Sequence, residues 1–203
     1  MKIEIVGHAD FASVNVPRFT SVLPEHAIRG FFGVTLCERQ LDETAVILNL
    51  MGFKQIAVDG NRRRFAANGN ALGNHIDLLI DANASYGQFG AGSVHHIAFR
   101  AKDDPAQREW REEIAKHLNV TPVMDRTYFR SIYFREPGGV LFELATDPPG
   151  FAFDEPLESL GEELRIPAWL EAKRSFIERH LVRITLHKEI PPFELKAEAG
   201  GSI

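Results

Sequence analysis

The sequence predicts an α+β protein: two copies of a βαβββ module forming a cupped mixed sheet, followed by a helical tail. Three observations carry this. Segments 30–81 and 93–147 present the same order of apolar and polar runs at nearly the same spacing, which marks an internal repeat. In each copy short apolar runs bounded by turn residues read as strands, and a stretch of helical period follows the opening run. Matching acids close the two copies, Asp77 with Glu143 and Asp81 with Asp147.

Taken in order, residues 1–28 show no period and read as an N-terminal arm. The first module, 29–82, opens with the strand FFGVTL at 31–36. Its helix runs over 42–50 and stops at Gly52, and strands at 53–58, 63–67 and 75–80 follow, the last two separated by the turn-rich NGNALG. A Gly-rich linker covers 83–92. The second module, 93–150, opens with VHHIAF at 94–99. Asp103 or Asp104 can cap a helix begun at Pro105, whose apolar side carries Trp110, Ile114 and Leu118. Strands are expected at 121–124, 131–135 and 140–145. The last pair forms a hairpin, because in REPGG at 135–139 Pro fixes φ and the glycines permit positive φ. In the extension, 151–203, Pro167 divides two helical stretches within 157–181. Leu160, Leu164, Trp169, Leu170, Phe176 and Ile177 are expected to pack onto the modules or onto another chain.

With 203 residues, 44% of them apolar, the chain can bury a real core. A net charge of -5 gives no electrostatic reason to expect nucleic acid. The single cysteine, Cys37, excludes an intrachain disulfide and a thiolate cluster, and reads as a small apolar residue. No apolar run reaches membrane-spanning length and the first residues lack a signal-peptide layout, so a cytoplasmic protein with no membrane partner is expected.

The chemistry concentrates in the second module. Side chains alternate along a strand, so His96, Ala98 and Arg100 are expected on one face and His95, Ile97 and Phe99 on the other. Glu143 stands between Phe142 and Leu144, where a buried carboxylate needs a cation or a donor beside it. One imidazole and one carboxylate side by side are two thirds of the facial triad that holds ferrous iron with open positions. The ordinary alternatives are a core histidine satisfied by a carbonyl for His96, and an arginine pair for Glu143. By the same weighing Arg130 is structural, His75 and Asp77 are more often structural than catalytic, and Arg62, Arg63 and Arg64 form an exposed strand edge.

Two βαβββ copies, one opened by HIAF and closed by an acid, resemble the vicinal oxygen chelate superfamily, which includes glyoxalase and extradiol dioxygenases. Within it, TPVMDRTYFRSIYFREPGGVLFELATDPPG at 121–150 resembles the ring-cleaving dioxygenases that open hydroquinones. So do PEHAIRG at 24–30 and LGEELRIPAWL at 160–170. The resemblance implies metal ligands at His96 and Glu143, with His95, Arg126 and Tyr133 lining the site. Tyr133 then manages a proton, Arg126 holds the anion developing on oxygen, and His95 orients substrate or another ligand.

The resemblance further implies Fe(II), with Mn(II) or Zn(II) as other ions, and no metal if the site is degenerate. It also implies a small aromatic substrate, O2 and a homo-oligomer. Members of the family usually carry four modules, and their remaining histidine ligand comes from the opening strand of the first. This chain matches the last two. Gly33 and Phe32 stand where His96 and His95 stand in the second copy, so the third ligand is sought in Asp77, His8, His26 or a second polypeptide. The expected activity is that of an Fe(II)-dependent ring-cleaving dioxygenase, or of a truncated relative. A metal-free module binding small aromatics is the alternative, and glyoxalase-like isomerisation, which needs four ligands across two modules, is third.

Overall fold

The computed structural model describes residues 2–7, 22–67, 72–85, 87–88 and 90–182. The first module contains β1 (Gly33–Glu38), α1 (Asp42–Leu50), β2 (Lys54–Asp59), β3 (Arg62–Ala66) and β4 (His75–Ile80). The second contains β5 (Ile97–Ala101), α2 (Asp104–Ala115), β6 (Met124–Asp125), β7 (Arg130–Arg135) and β8 (Leu141–Thr146). Each forms its own four-stranded sheet, ordered β1-β4-β3-β2 and β5-β8-β7-β6. Both sheets are mixed, because the opening strand lies parallel to the closing one while the others run antiparallel. One mixed four-stranded sheet per module is the observed arrangement, as the α+β reading of two βαβββ copies expects.

Register makes the repeat exact to the residue. Thr35 pairs with Asp77 as Ala98 pairs with Glu143, and Arg64 faces Asp77 as Tyr133 faces Glu143. The copies also close alike: Asp81 donates its N–H to Glu38 O and Asp147 donates its N–H to Ala101 O, at 2.8 and 3.0 Å. Two residues upstream in each strand, Arg62 is therefore the counterpart of Ser131, and Gly33 that of His96.

The helices form where the expected signals lie. Asp42 and Glu43 stand in the first turn of α1, where the helix dipole favours acids. Asp103, extended at φ -161°, accepts the N–H of Ala106 at 2.9 Å and so caps α2. Buried Gln107 of α2 donates to the carbonyls of Arg130 and Leu144, both at 2.7 Å, which ties the helix across β7 and β8. A single core then joins the modules: Ile47 and Leu48 of α1 and Phe65, Ile76 and Leu78 of the first sheet cluster with Ile114, Phe134 and Phe142 of the second module. Since the apolar neighbours of Asp77 and of Glu143 face this core, strand alternation sends both acids to the opposite face.

Where the modules meet, the Thr44 hydroxyl donates to Glu136 Oε2 at 2.6 Å, and Glu136 also accepts the N–H groups of Gly138 and Val140. Glu38, at the end of β1, lies 2% exposed against that same turn. A Cβ added at Gly138 would sit 1.7 Å from Glu38 Oε2. Burial and the nearby Glu136 charge push the Glu38 carboxyl up to about 7.

Several expectations need correction. β1 and β5 begin two and three residues later than the apolar runs suggest, because Phe31, Phe32 and Val94 precede the ladder. Arg62, Arg63 and Arg64 are not a sheet edge, since β3 is flanked by β2 and β4. Within the tail, the first expected helix is only a 3-10 turn, Leu157–Ser159, bounded by Pro156 and by Gly161 at φ 83°. A 3-10 stretch, Ala168–Lys173, then leads into α3 (Arg174–His180). Leu160, Leu164, Trp169 and Phe176 stay exposed rather than packing onto the modules. Among the described residues no helix is long and apolar enough to cross a membrane.

Candidate metal centre

Glu143 is 3% exposed, and its two oxygens serve different partners. Oε1 accepts the hydroxyls of Tyr133, at 2.7 Å, and of Ser131. Oε2 lies 2.7 Å from His96 Nε2. The sheet explains this convergence: Tyr133 is the cross-strand partner of Glu143, and Ser131, two residues earlier on β7, shares its face. The His96 ring meets the Tyr133 ring edge-on at 5.9 Å.

His95 and His96 precede β5, so the pleat does not force them to opposite sides. Their Nδ1 atoms lie 2.9 Å apart, which corrects the expectation that His95 turns away. One Nδ1 donates to the other, and which does so is set by the tautomers of the two rings. Arg126 is held by a tight loop in which Thr127 takes the left-handed φ of 70° and donates its N–H to Asp125 Oδ1. A β-branched residue in that region is strained, at about 1–3 kcal/mol. The loop sets the exposed Arg126 guanidinium over the Tyr133 ring, 5.4 Å from its centre.

The third-ligand candidates are not assembled with this pair. Asp77 is engaged elsewhere: Arg64 Nε donates to Oδ1, while Arg64 and Arg62 both donate to Oδ2, each at 2.8 Å. Burial alone would raise the Asp77 carboxyl, but those hydrogen bonds outweigh it and hold it below its ordinary range. Glu4 of the arm caps the far side of Arg62 at 3.2 Å. His26 is exposed on the 3-10 turn Pro24–His26, and His8 lies outside the described residues. His75 is buried and stacked on Phe32 at 4.1 Å, with Nδ1 3.2 Å from the Phe32 carbonyl. Arg130 bonds Asp104, as a structural residue does. Among the described residues no set of three or more His, Cys, Asp or Glu side chains is gathered for a metal.

Gly33 explains why the first module offers no histidine. A Cβ at this position would lie 2.4 Å from the His75 carbonyl oxygen, so β1 approaches β4 too closely for any side chain. Ser131 was invisible to the sequence reading, because a serine in a strand carries no chemical signal of its own. Its signal is comparative: Ser-x-Tyr in the second copy stands where Arg-x-Arg stands in the first.

The donor set suits a divalent cation as far as it goes. Two hydroxyls engage one oxygen of the buried carboxylate and leave the other, Glu143 Oε2, beside His96 Nε2 at 2.7 Å, an oxygen and a nitrogen of the kinds that bind divalent metals. What is missing is a third donor.

Two βαβββ modules sharing a core, the second bearing a histidine on its opening segment and an acid on its closing strand, define the vicinal oxygen chelate fold. No family model matches the chain. It is 45% identical over 198 residues to MhqO of Bacillus subtilis (strain 168), named as a candidate ring-cleaving dioxygenase, the match taking in 97% of this chain and 60% of MhqO. With the chlorohydroquinone/hydroquinone 1,2-dioxygenase of Sphingobium indicum it shares 36% identity over 153 residues, 72% of this chain and 47% of that protein. The crystal structure of a candidate dioxygenase from Bacillus subtilis superposes with a TM-score of 0.77 at 48% identity, covering 83% of this chain and 55% of that one. A glyoxylase/bleomycin resistance protein/dioxygenase domain from Frankia sp. EAN1pec shares the fold, with a TM-score of 0.52 at 17% identity over 62% of this chain and 97% of the domain. The chain is thus a homologue of proteins named as ring-cleaving dioxygenases, and it spans 47–60% of the length of the two curated relatives given above.

Proposed function

We propose that the chain supplies the histidine and glutamate of an iron(II) centre in a cytoplasmic ring-cleaving dioxygenase acting on hydroquinone-like aromatics and O2. The third ligand comes from outside the described residues or from a second polypeptide, and in the latter case the working protein is an assembly. The observation that carries this reading is the divided use of Glu143, with Oε1 tied down by hydroxyls and Oε2 aimed at His96 Nε2. Homology to hydroquinone-cleaving relatives supports the substrate class.

His96 and Glu143 would hold ferrous iron, which when bound would supply the redox chemistry between an aromatic hydroxyl and oxygen. The chain's own residues prepare the place. The Tyr133 hydroxyl donates to Glu143 Oε1, which restrains the carboxylate and sets a proton donor beside the place of reaction. His95 steadies the His96 ring through the Nδ1 contact. Arg126, exposed and permanently charged, attracts a phenolate and stabilises negative charge developing on oxygen.

The test is to supply iron anaerobically, measure metal per chain and native mass, and follow oxygen uptake with hydroquinone. Stoichiometric iron with hydroquinone-dependent uptake is expected. Protein that retains no iron, alone or as an oligomer, yet still binds aromatics, would overturn the proposal in favour of a metal-free binding module.

A further inference from the structure

We infer that Ser131 is a positioning residue that makes Glu143 a one-oxygen metal ligand. The inference rests on the iron-centre reading above and adds a residue that the reading itself does not require. Ser131 is fully buried, at 0% exposure, on the inner strand β7, and its hydroxyl bonds Glu143 Oε1 from the protein interior. Tyr133 reaches the same oxygen from the half-buried side at 2.7 Å. Together they fill the Oε1 lone pairs and leave Oε2 to face His96.

The first module supplies the contrast. At the Ser131 and Tyr133 positions stand Arg62 and Arg64, and they occupy both oxygens of Asp77 with charged donors. Hydroxyls on one oxygen restrain a carboxylate while leaving its charge and one face for a cation. Guanidinia on both oxygens consume it. The consequence for a three-ligand centre is its count of open positions. A glutamate rotating to chelate through both oxygens would take a position that substrate or oxygen needs. Tyr133 alone leaves that rotation open, because its long side chain can follow the carboxylate. Ser131 cannot follow it: its hydroxyl sits one bond from Cβ, on a strand fixed by β6 and β8.

The experiment is a Co(II) titration of the whole chain read by visible absorption, which reports affinity and coordination number together. Ser131→Ala is expected to weaken Co(II) binding by about tenfold, the usual cost of losing a group that orients a ligand. Its absorption should fall toward that of a higher coordination number as Glu143 turns to chelate. Ser131→Cys keeps the volume with a poor donor and should behave alike, which covers the case of an alanine variant that does not fold. Ser131→Thr, retaining the hydroxyl, should restore both affinity and spectrum. Alanine and cysteine variants with the parent's affinity and spectrum overturn the assignment of Ser131 while leaving the metal reading intact. A parent chain that gives no Co(II) absorption at all overturns both.

Discussion

The closing strands of the two modules carry an acid at the same register, yet Asp77 is locked by two arginines while Glu143 is held by two hydroxyls and a histidine. Scaffold, strand order and burial are shared, so they do not decide whether an acid can serve a metal. The neighbouring strand decides it, through two side chains spaced to share its face. Neutral donors leave an acid its charge, and cationic donors turn it into a structural ion pair.

The largest effect follows from removing the second acid. Glu143→Gln or His96→Ala should reduce retained metal from stoichiometric to background, as elemental analysis after gel filtration would read, while Asp77→Asn should leave metal content unchanged. Equal loss in all three variants would mean that the modules are not specialised as described. Next is the attempt to equalise them. Gly33→His should add no metal site, because its Cβ meets the His75 carbonyl at 2.4 Å, and should lower stability by roughly 2–3 kcal/mol in urea unfolding. A variant of parent stability that binds additional metal would show that β1 can give way.

Asp77→Asn should itself cost about 1–2 kcal/mol of unfolding free energy, since it removes the charge that Arg64 and Arg62 share, although both guanidinia keep 24–31% contact with water and Arg62 keeps Glu4. An effect that only a change of pH reveals lies at the seam between the modules. The Glu38 carboxyl has its ordinary value near 4.5 when unfolded and about 7 when folded, so between these the folded chain binds the extra proton. Stability should therefore be greatest below that window, fall as pH rises through it and level off above, with a slope approaching about 1.4 kcal/mol per pH unit at most. Glu38→Gln should flatten that slope, and denaturant unfolding across the window would read it.

Much of this was legible in the sequence, and for identifiable reasons. α1 and β4 begin and end where expected, at Asp42–Leu50 and His75–Ile80, because their boundaries coincide with first-turn acids and with turn residues. The strand openings ran early because aromatic residues before a ladder look like part of it. The first stretch of the tail misled because its apolar spacing is helical, whereas Pro156 and Gly161 bound only a short 3-10 turn there. In the site, His96 and Glu143 announced themselves as polar residues in apolar runs. The Arg62, Asp77 and Arg64 cluster did not, since pairing between strands depends on register, which one strand read alone does not contain. Laying the two copies over each other in register is what exposes it.

Gly138 has a consequence that reaches past its own hairpin. The turn geometry asks for left-handed φ at Gly139, at 96°, whereas Gly138 must lack a side chain because Glu38 of the other module fills the space beside it. Positions 38 and 138 thus behave as one unit of variation. A side chain at 138 asks the buried Glu38 carboxylate to swing aside or to be shortened, so homologues with a side chain at 138 should tend to carry a smaller residue at 38.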